Sequence, residues 1–210
     1  MRKLALVALV GCQLFGSGVR GSGTAKTEQR TVAAFSKVSV DGSMQADITA
    51  GTAQIVELKG DDNIVPLITT DVASDELRIS PKQSISPKLD LTARIAVPRL
   101  VAFDLSGSTS AAIHGVASDA FAISTSGSTH VTAAGTTKRI EIRVSGSSSV
   151  DAFELHAEDS RIDISGSADV DVFATGVLDV HISGSGHVRY AGSPREVHKD
   201  ISGSGTVEAR

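Results

Sequence analysis

The stretch Ile162-Asp163-Ile164-Ser165-Gly166-Ser167-Ala168-Asp169-Val170 decides how this chain is read. Apolar and polar residues alternate with a period of two on both sides of Gly166, which marks strands with one face buried. Between them sits Ser-Gly-Ser, a tight corner in which glycine supplies positive φ or a close approach of backbones. The serine hydroxyls can satisfy the corner's free main-chain groups. The tripeptide recurs, centred on Gly107, Gly127, Gly146, Gly166, Gly184 and Gly203, at spacings of 20, 19, 20, 18 and 19 residues.

Aligning the copies on that glycine produces columns. Two residues before it stand Leu105, Thr125, Val144, Ile164, Ile182 and Ile201. Four before stand Phe103, Ile123, Ile142, Ile162, Val180 and Lys199, and four after stand Ala111, Val131, Val150, Val170, Val188 and Val207. These positions are predicted to face the interior. Matched residue types at matched offsets are expected when coil stacks on coil, about 4.8 Å apart. A propeller blade needs about twice this repeat length. The expected architecture is therefore all-β, a parallel β-helix solenoid of about 19-residue coils turning at the six glycines. The outward columns are expected to carry complementary charges, Arg143 beside Asp163, and Asp171, Arg189 and Glu208 in succession. Lys199, replacing an apolar residue in the last copy, reads as a guard against strand addition.

The first half is less regular but alternates too. Val38, Val40, Met44, Ala46 and Ile48 share one parity, as do Leu89, Leu91, Ala93, Ile95 and Val97 before Pro98 stops the strand. Residues 61–75 are the one candidate for a short helix or turn. Hydrophobic residues make up 40% of the 210, yet aromatics only 3%, so the core must be aliphatic, a palette that suits β architecture. A net charge of −4 without a basic cluster gives no reason to expect nucleic acid as a partner.

At the N-terminus, Arg2 and Lys3 precede seven apolar residues, Leu4 to Val10, too few to span a bilayer but enough for a secretory signal. Leu9-Val10-Gly11-Cys12 resembles a bacterial lipobox. That resemblance implies cleavage before Cys12, lipid on its sulfur and, with Gln13 next to it, sorting to the outer membrane. Cys12 is the only cysteine, so the chain forms no internal disulfide. The resulting organisation is a signal peptide at 1–11, a Gly/Ser-rich flexible tether at 12–30 and a folded domain at 31–210. Without lipidation, an ordinary signal peptide would leave the domain periplasmic or secreted.

Arg30, Phe35-Ser36-Lys37-Val38-Ser39-Val40, Gly60-Asp61-Asp62-Asn63, Leu77-Arg78-Ile79 and Val188-Arg189-Tyr190-Ala191-Gly192-Ser193-Pro194, with the Ser-Gly-Ser turns, carry a family resemblance. The chain resembles the putative auto-transporter adhesins with a head GIN domain, over about residues 30–210. The resemblance implies a bacterial envelope protein, a right-handed β-helix shaped like the pectin lyases but lacking their catalytic residues, and adhesion as its role. The chain shows no autotransporter barrel, so anchoring is expected at Cys12.

Glycoside hydrolysis needs two carboxyls flanking a cleft. Asp151, Asp169 and Asp171, with His130 and His187, are the candidates, but no long loop is available to wall a cleft, so they read as a solvated face. The six histidines, His114, His130, His156, His181, His187 and His198, show no ligand spacing for a metal. No catalytic, cofactor or metal residue is therefore assigned. The functional expectation is a non-enzymatic adhesion or surface-binding module that contacts glycan, matrix or an envelope protein. The alternatives are a self-associating structural protein and, further off, a carbohydrate-active enzyme.

Overall fold

The computed structural model describes residues 18–210. The proposed signal segment and Cys12 lie outside the described residues. The described residues are all-β apart from one 3-10 turn, Val65–Leu67, within the stretch expected as helix or turn.

The early strands are β1 (Val19–Arg20), β2 (Ala25–Gln29), β3 (Lys37–Gly42), β4 (Gln45–Ala50) and β5 (Ile55–Asp61). They are followed by β6 (Ile68–Ala73), β7 (Glu76–Pro81), β8 (Ile85–Ser86) and β9 (Thr92–Val97). The repeat region is almost continuous extended backbone, β10 (Ala102–Ala174) and β11 (Val177–Gly192). β12 (Glu196–Gly203) and β13 (Thr206–Ala209) complete it. β1 pairs only with β8, and the rest form one sheet.

The expectation of a right-handed parallel β-helix is corrected by the strand directions. β2 and β9 both run antiparallel to β5, and β6 runs antiparallel to β7. The sheet is a curled half-barrel that mixes parallel and antiparallel pairs. The glycine columns begin at Gly107, so they say nothing of strand direction in the first hundred residues. There the chain reverses, most sharply at Ser74-Asp75, which joins β6 to β7 with φ of 52° and 66°. Asn-Gly or Asp-Gly is the usual sign of such a turn, and this one lacks it.

The parallel part of the sheet brings the serine-glycine segments into line. Gly42 pairs with Gly107, Gly166 with Gly184, and Gly184 with Gly203. All six repeat glycines have φ between 95° and 134°. A Cβ on Gly146 would lie 2.5 Å from the carbonyl oxygen of Gly127, and one on Gly166 2.4 Å from that of Gly146. Main chain passes over main chain here with no room for a side chain.

The inward columns are buried as the alternation predicts in the first five copies, among them Ile142, Val144, Val150, Ile164, Val170, Val180, Ile182 and Val188, whereas Lys199 and Ile201 of the last copy are exposed. Together with Val38, Val40, Ile48, Ala93 and Ile95 of the early strands the buried residues make one core. Full burial of a Val or Ile side chain contributes about 1.5–3 kcal/mol. Ser160, at an inward position, satisfies its hydroxyl by donating to the Phe173 carbonyl at 3.2 Å.

The flexible tether expected over 12–30 is corrected from residue 18 onward, because this stretch has backbone and side-chain partners. Val19 and Gly21 donate main-chain hydrogen bonds to Ser84 and Ser86, both at 2.9 Å, and β2 joins the sheet beside β5. Asp61, fully buried, receives N–H donors on both carboxylate oxygens: Gly23 at 2.6 Å, Lys88 at 2.9 Å and Leu89 at 3.1 Å. Asn63 donates to the Arg20 carbonyl and accepts from the Ser22 N–H, each at 2.9 Å. A Cβ on Gly21 would sit 2.4 Å from the Asp61 carboxylate, so only glycine fits under this clamp.

Candidate functional site

Positions that alternate with the buried columns point outward, and in the curled sheet two of them converge. One residue before each corner glycine stands a serine: Ser106, Ser126, Ser145, Ser165, Ser183 and Ser202. Three before stand Asp104, Ser124, Arg143, Asp163, His181 and Asp200, with Ser39 of β3 leading the row. Both columns line a single groove of about 820 Å3. Its floor is formed by the buried residues between them, among them Leu105, Val144 and Ile164. The groove therefore has a hydroxyl rail and a charged rail. Parallel pairing sets the spacing along each: Asp163 lies opposite His181 and His181 opposite Asp200, while Ser165, Ser183 and Ser202 follow in register.

Outside the charged rail lies another outward column, Glu141, Arg161, Asp179 and His198. The two columns set opposite charges side by side, Glu141 beside Arg143 and Arg161 beside Asp163. Arg143 pairs with Glu141 on its own strand. Arg161 reaches Asp163 at 3.2 Å and Asp179 at 3.1 Å. His181 places Nε2 3.1 Å from Asp179 and Nδ1 3.5 Å from Asp200. Complementarity across strands is present, but the pair expected between Arg143 and Asp163 is not formed, because each finds a partner two residues away on its own strand. Hydrogen bonding to Asp163, and the nearby carboxylates, raise the Arg161 guanidinium above its ordinary value.

The expected succession of Asp171, Arg189 and Glu208 holds in register, since Asp171 opposes Arg189 and Arg189 opposes Glu208. Asp171 is buried, and both its oxygens are taken by the Arg189 guanidinium, at 2.7 and 2.5 Å. Asp151 accepts the Phe153 N–H at 3.2 Å, and His187 Nδ1 lies 2.8 Å from the Thr206 hydroxyl. This face, which carries the candidate carboxylates for glycoside chemistry, is apart from the groove. Among the described residues no group of three or more His, Cys, Asp or Glu is placed to hold a metal ion. Lys199 caps main chain, donating to the Val207 carbonyl at 2.8 Å.

The groove escaped the sequence reading as a site, although its residues were in the aligned columns. Outward positions alternate along a strand in the same way whether its sheet is flat or curled, and only the curl of this sheet makes them concave.

Comparison with known proteins agrees with this architecture. No curated protein matches the chain. A putative adhesin from Bacteroides fragilis superposes with a TM-score of 0.73 at 22% identity, over 92% of this chain and all of that one. A putative lipid binding protein from Parabacteroides distasonis gives 0.55 at 21%, over 92% of this chain and all of that one. A putative adhesin from Parabacteroides merdae gives 0.55 at 17%, over 92% of this chain and 99% of that one. At these identities the likeness is one of fold. The sequence itself matches the family model described as "Putative auto-transporter adhesin, head GIN domain" over residues 34–194. That match spans most of the chain, and the protein belongs to this family.

Proposed function

We propose that this protein is a non-enzymatic binding module of the bacterial cell envelope, exported and displayed at the surface, which engages its target through the serine-lined groove. The observation that carries this reading is the groove. A groove of this size falls within the usual range for ligand sites, and its two rails of polar side chains converge on one trough. Membership in a family of adhesins supports an exported surface protein.

Anchoring is proposed at Cys12, by lipid on its sulfur. Because the fold is tied down from Gly18, the leash from Cys12 spans six residues, at most about 21 Å. The domain would then ride close to the membrane. Cys12→Ser should move the protein from the membrane to the soluble fraction, and unchanged membrane recovery would count against the anchor.

The function is tested by adhesion of cells that express the native protein or a variant with the groove blocked by Ser145→Arg and Ser165→Arg. Adhesion should fall to the level of a deletion strain. Undiminished adhesion by the blocked variant would refute the groove as the binding surface.

Ile201 favours a second reading, self-association: it is 37% exposed on β12, while its neighbour in register, Ile182, is buried. Light scattering at micromolar concentration tests this. A dimer that Ile201→Lys dissociates would support it, and a monomer would exclude it.

A further inference from the structure

We infer that the occupant of this groove is a linear, uncharged glycan lying across the strands, one sugar to each row; the inference rests on the groove being the binding surface. Three observations lead there. The first is spacing. Rows follow the sheet from Ser39 through Asp104 and Asp163 to Asp200. Neighbouring strands lie about 4.8 Å apart, so seven rows extend over about 29 Å. A hydroxyl recurs at each step from Ser106 to Ser202. An extended peptide repeats its side chains on one face every 6.6–6.8 Å or so and falls out of step within a few rows. A pyranose ring in a linear β-1,4 glycan advances by nearly one row, so each sugar has a hydroxyl row within reach, with alternate rings turned over to present opposite edges to the two rails.

The second observation is charge. The charged rail carries three carboxylates, Asp104, Asp163 and Asp200, and one guanidinium, Arg143. A polyanion would meet the carboxylates, and a polycation would meet Arg143 and compete with Arg161 for Asp163. A neutral polyol avoids both penalties. It can donate to Asp104, Asp163 and Asp200 and accept from Arg143, and hydrogen bonds to charged groups are the stronger kind.

The third observation is the floor. Leu105, Val144, Ile164 and Ile182 are 1–2% exposed. The exposed lining of the groove is nonetheless more apolar than polar, which suits the C–H faces of sugar rings, while serine hydroxyls border the whole length and suit their hydroxyls. An acyl chain would use the apolar lining alone, and the vesicle arm of the test separates the two.

The test uses the full-length chain carrying Cys12→Ser, titrated calorimetrically with β-1,4-linked glucose and N-acetylglucosamine oligomers of two to six units. Phosphatidylethanolamine–phosphatidylglycerol vesicles serve as the lipid arm. Affinity for at least one series should rise with each added sugar, and Ser145→Arg with Ser165→Arg should weaken it at least tenfold with the melting temperature kept. Phe153→Ala, outside the groove, should leave it unchanged. In parallel, periodate, which cleaves the 2,3-diol of 4-linked glucose but spares internal N-acetylglucosamine, should abolish groove-dependent adhesion if the glucose series binds. If both oligomer series fail to bind and adhesion survives periodate, the glycan inference is overturned while groove-dependent adhesion stands. Binding to vesicles alone, or affinity independent of oligomer length, would overturn it as well. If the blocked variant still adheres, the groove reading itself fails.

Discussion

At Gly166 the backbone has φ of 134°, and the main chain of the preceding row, at Gly146, leaves no space for a Cβ. Gly166→Val should therefore cost at least about 3 kcal/mol, since a strained backbone alone costs of order 1–3. For a chain of this size that corresponds to a fall of roughly 6–12 °C in Tm. An unchanged Tm would refute the corner role. Asp61 is governed by the opposite problem, a charge that must be compensated. Its burial opposes ionisation, but the N–H donors of Leu89, Gly23 and Lys88, with the Lys88 charge, outweigh that and hold the carboxyl below its ordinary value. Because the folded value lies below the unfolded one, ionised Asp61 stabilises the fold above the ordinary carboxylate range. That contribution disappears as pH falls through the range towards the lowered value. In thermal melts from pH 7 to pH 3, the gap between native protein and Asp61→Asn should shrink steadily. A gap independent of pH would show that the clamp does not depend on charge.

At the scale of elements, the hairpin of β6 and β7 tests what the sequence concealed. Ser74 and Asp75 both adopt positive φ, a conformation that Asn-Gly takes at lower cost. Replacing the pair by Ser74→Asn and Asp75→Gly should raise stability by about 0.5–1 kcal/mol, measured by urea denaturation. A loss of stability would mean that these side chains contribute contacts outweighing the strain. The repeat strands behave differently. Their alternation assigned each apolar residue to the inside because a residue moved by one position would change faces altogether. For the same reason the outward columns were legible as columns.

Across the whole molecule the core outweighs the surface charges. Arg161 joins Asp163 and Asp179 in exposed pairs, each worth about 0–1 kcal/mol. Ile164→Ala removes a buried branched side chain, which typically costs about 2–5 kcal/mol. Urea denaturation should therefore show Ile164→Ala several times more damaging than Arg161→Ala. Equal losses would mean that the paired charges hold the rows together. If they do not, their role lies in aligning neighbouring strands and in shaping the groove's charged rail.

The sequence alone determined that this chain is all-β, which residues of the repeat face inward, where its corners fall and which family it resembles. These are properties of period and composition, and they follow from local geometry: a side chain alternates sides, and only glycine bends this way under a neighbouring main chain. Strand direction in the first hundred residues, the docking of residues 18–30 under Asp61 and Asn63, and the groove were decided by tertiary structure. Each depends on contacts between segments tens of residues apart, such as Gly23 with Asp61 or Val19 with Ser84. Ser106 and Asp104 look like any outward residues in sequence. They become walls of one trough only because the sheet to which they belong is curled.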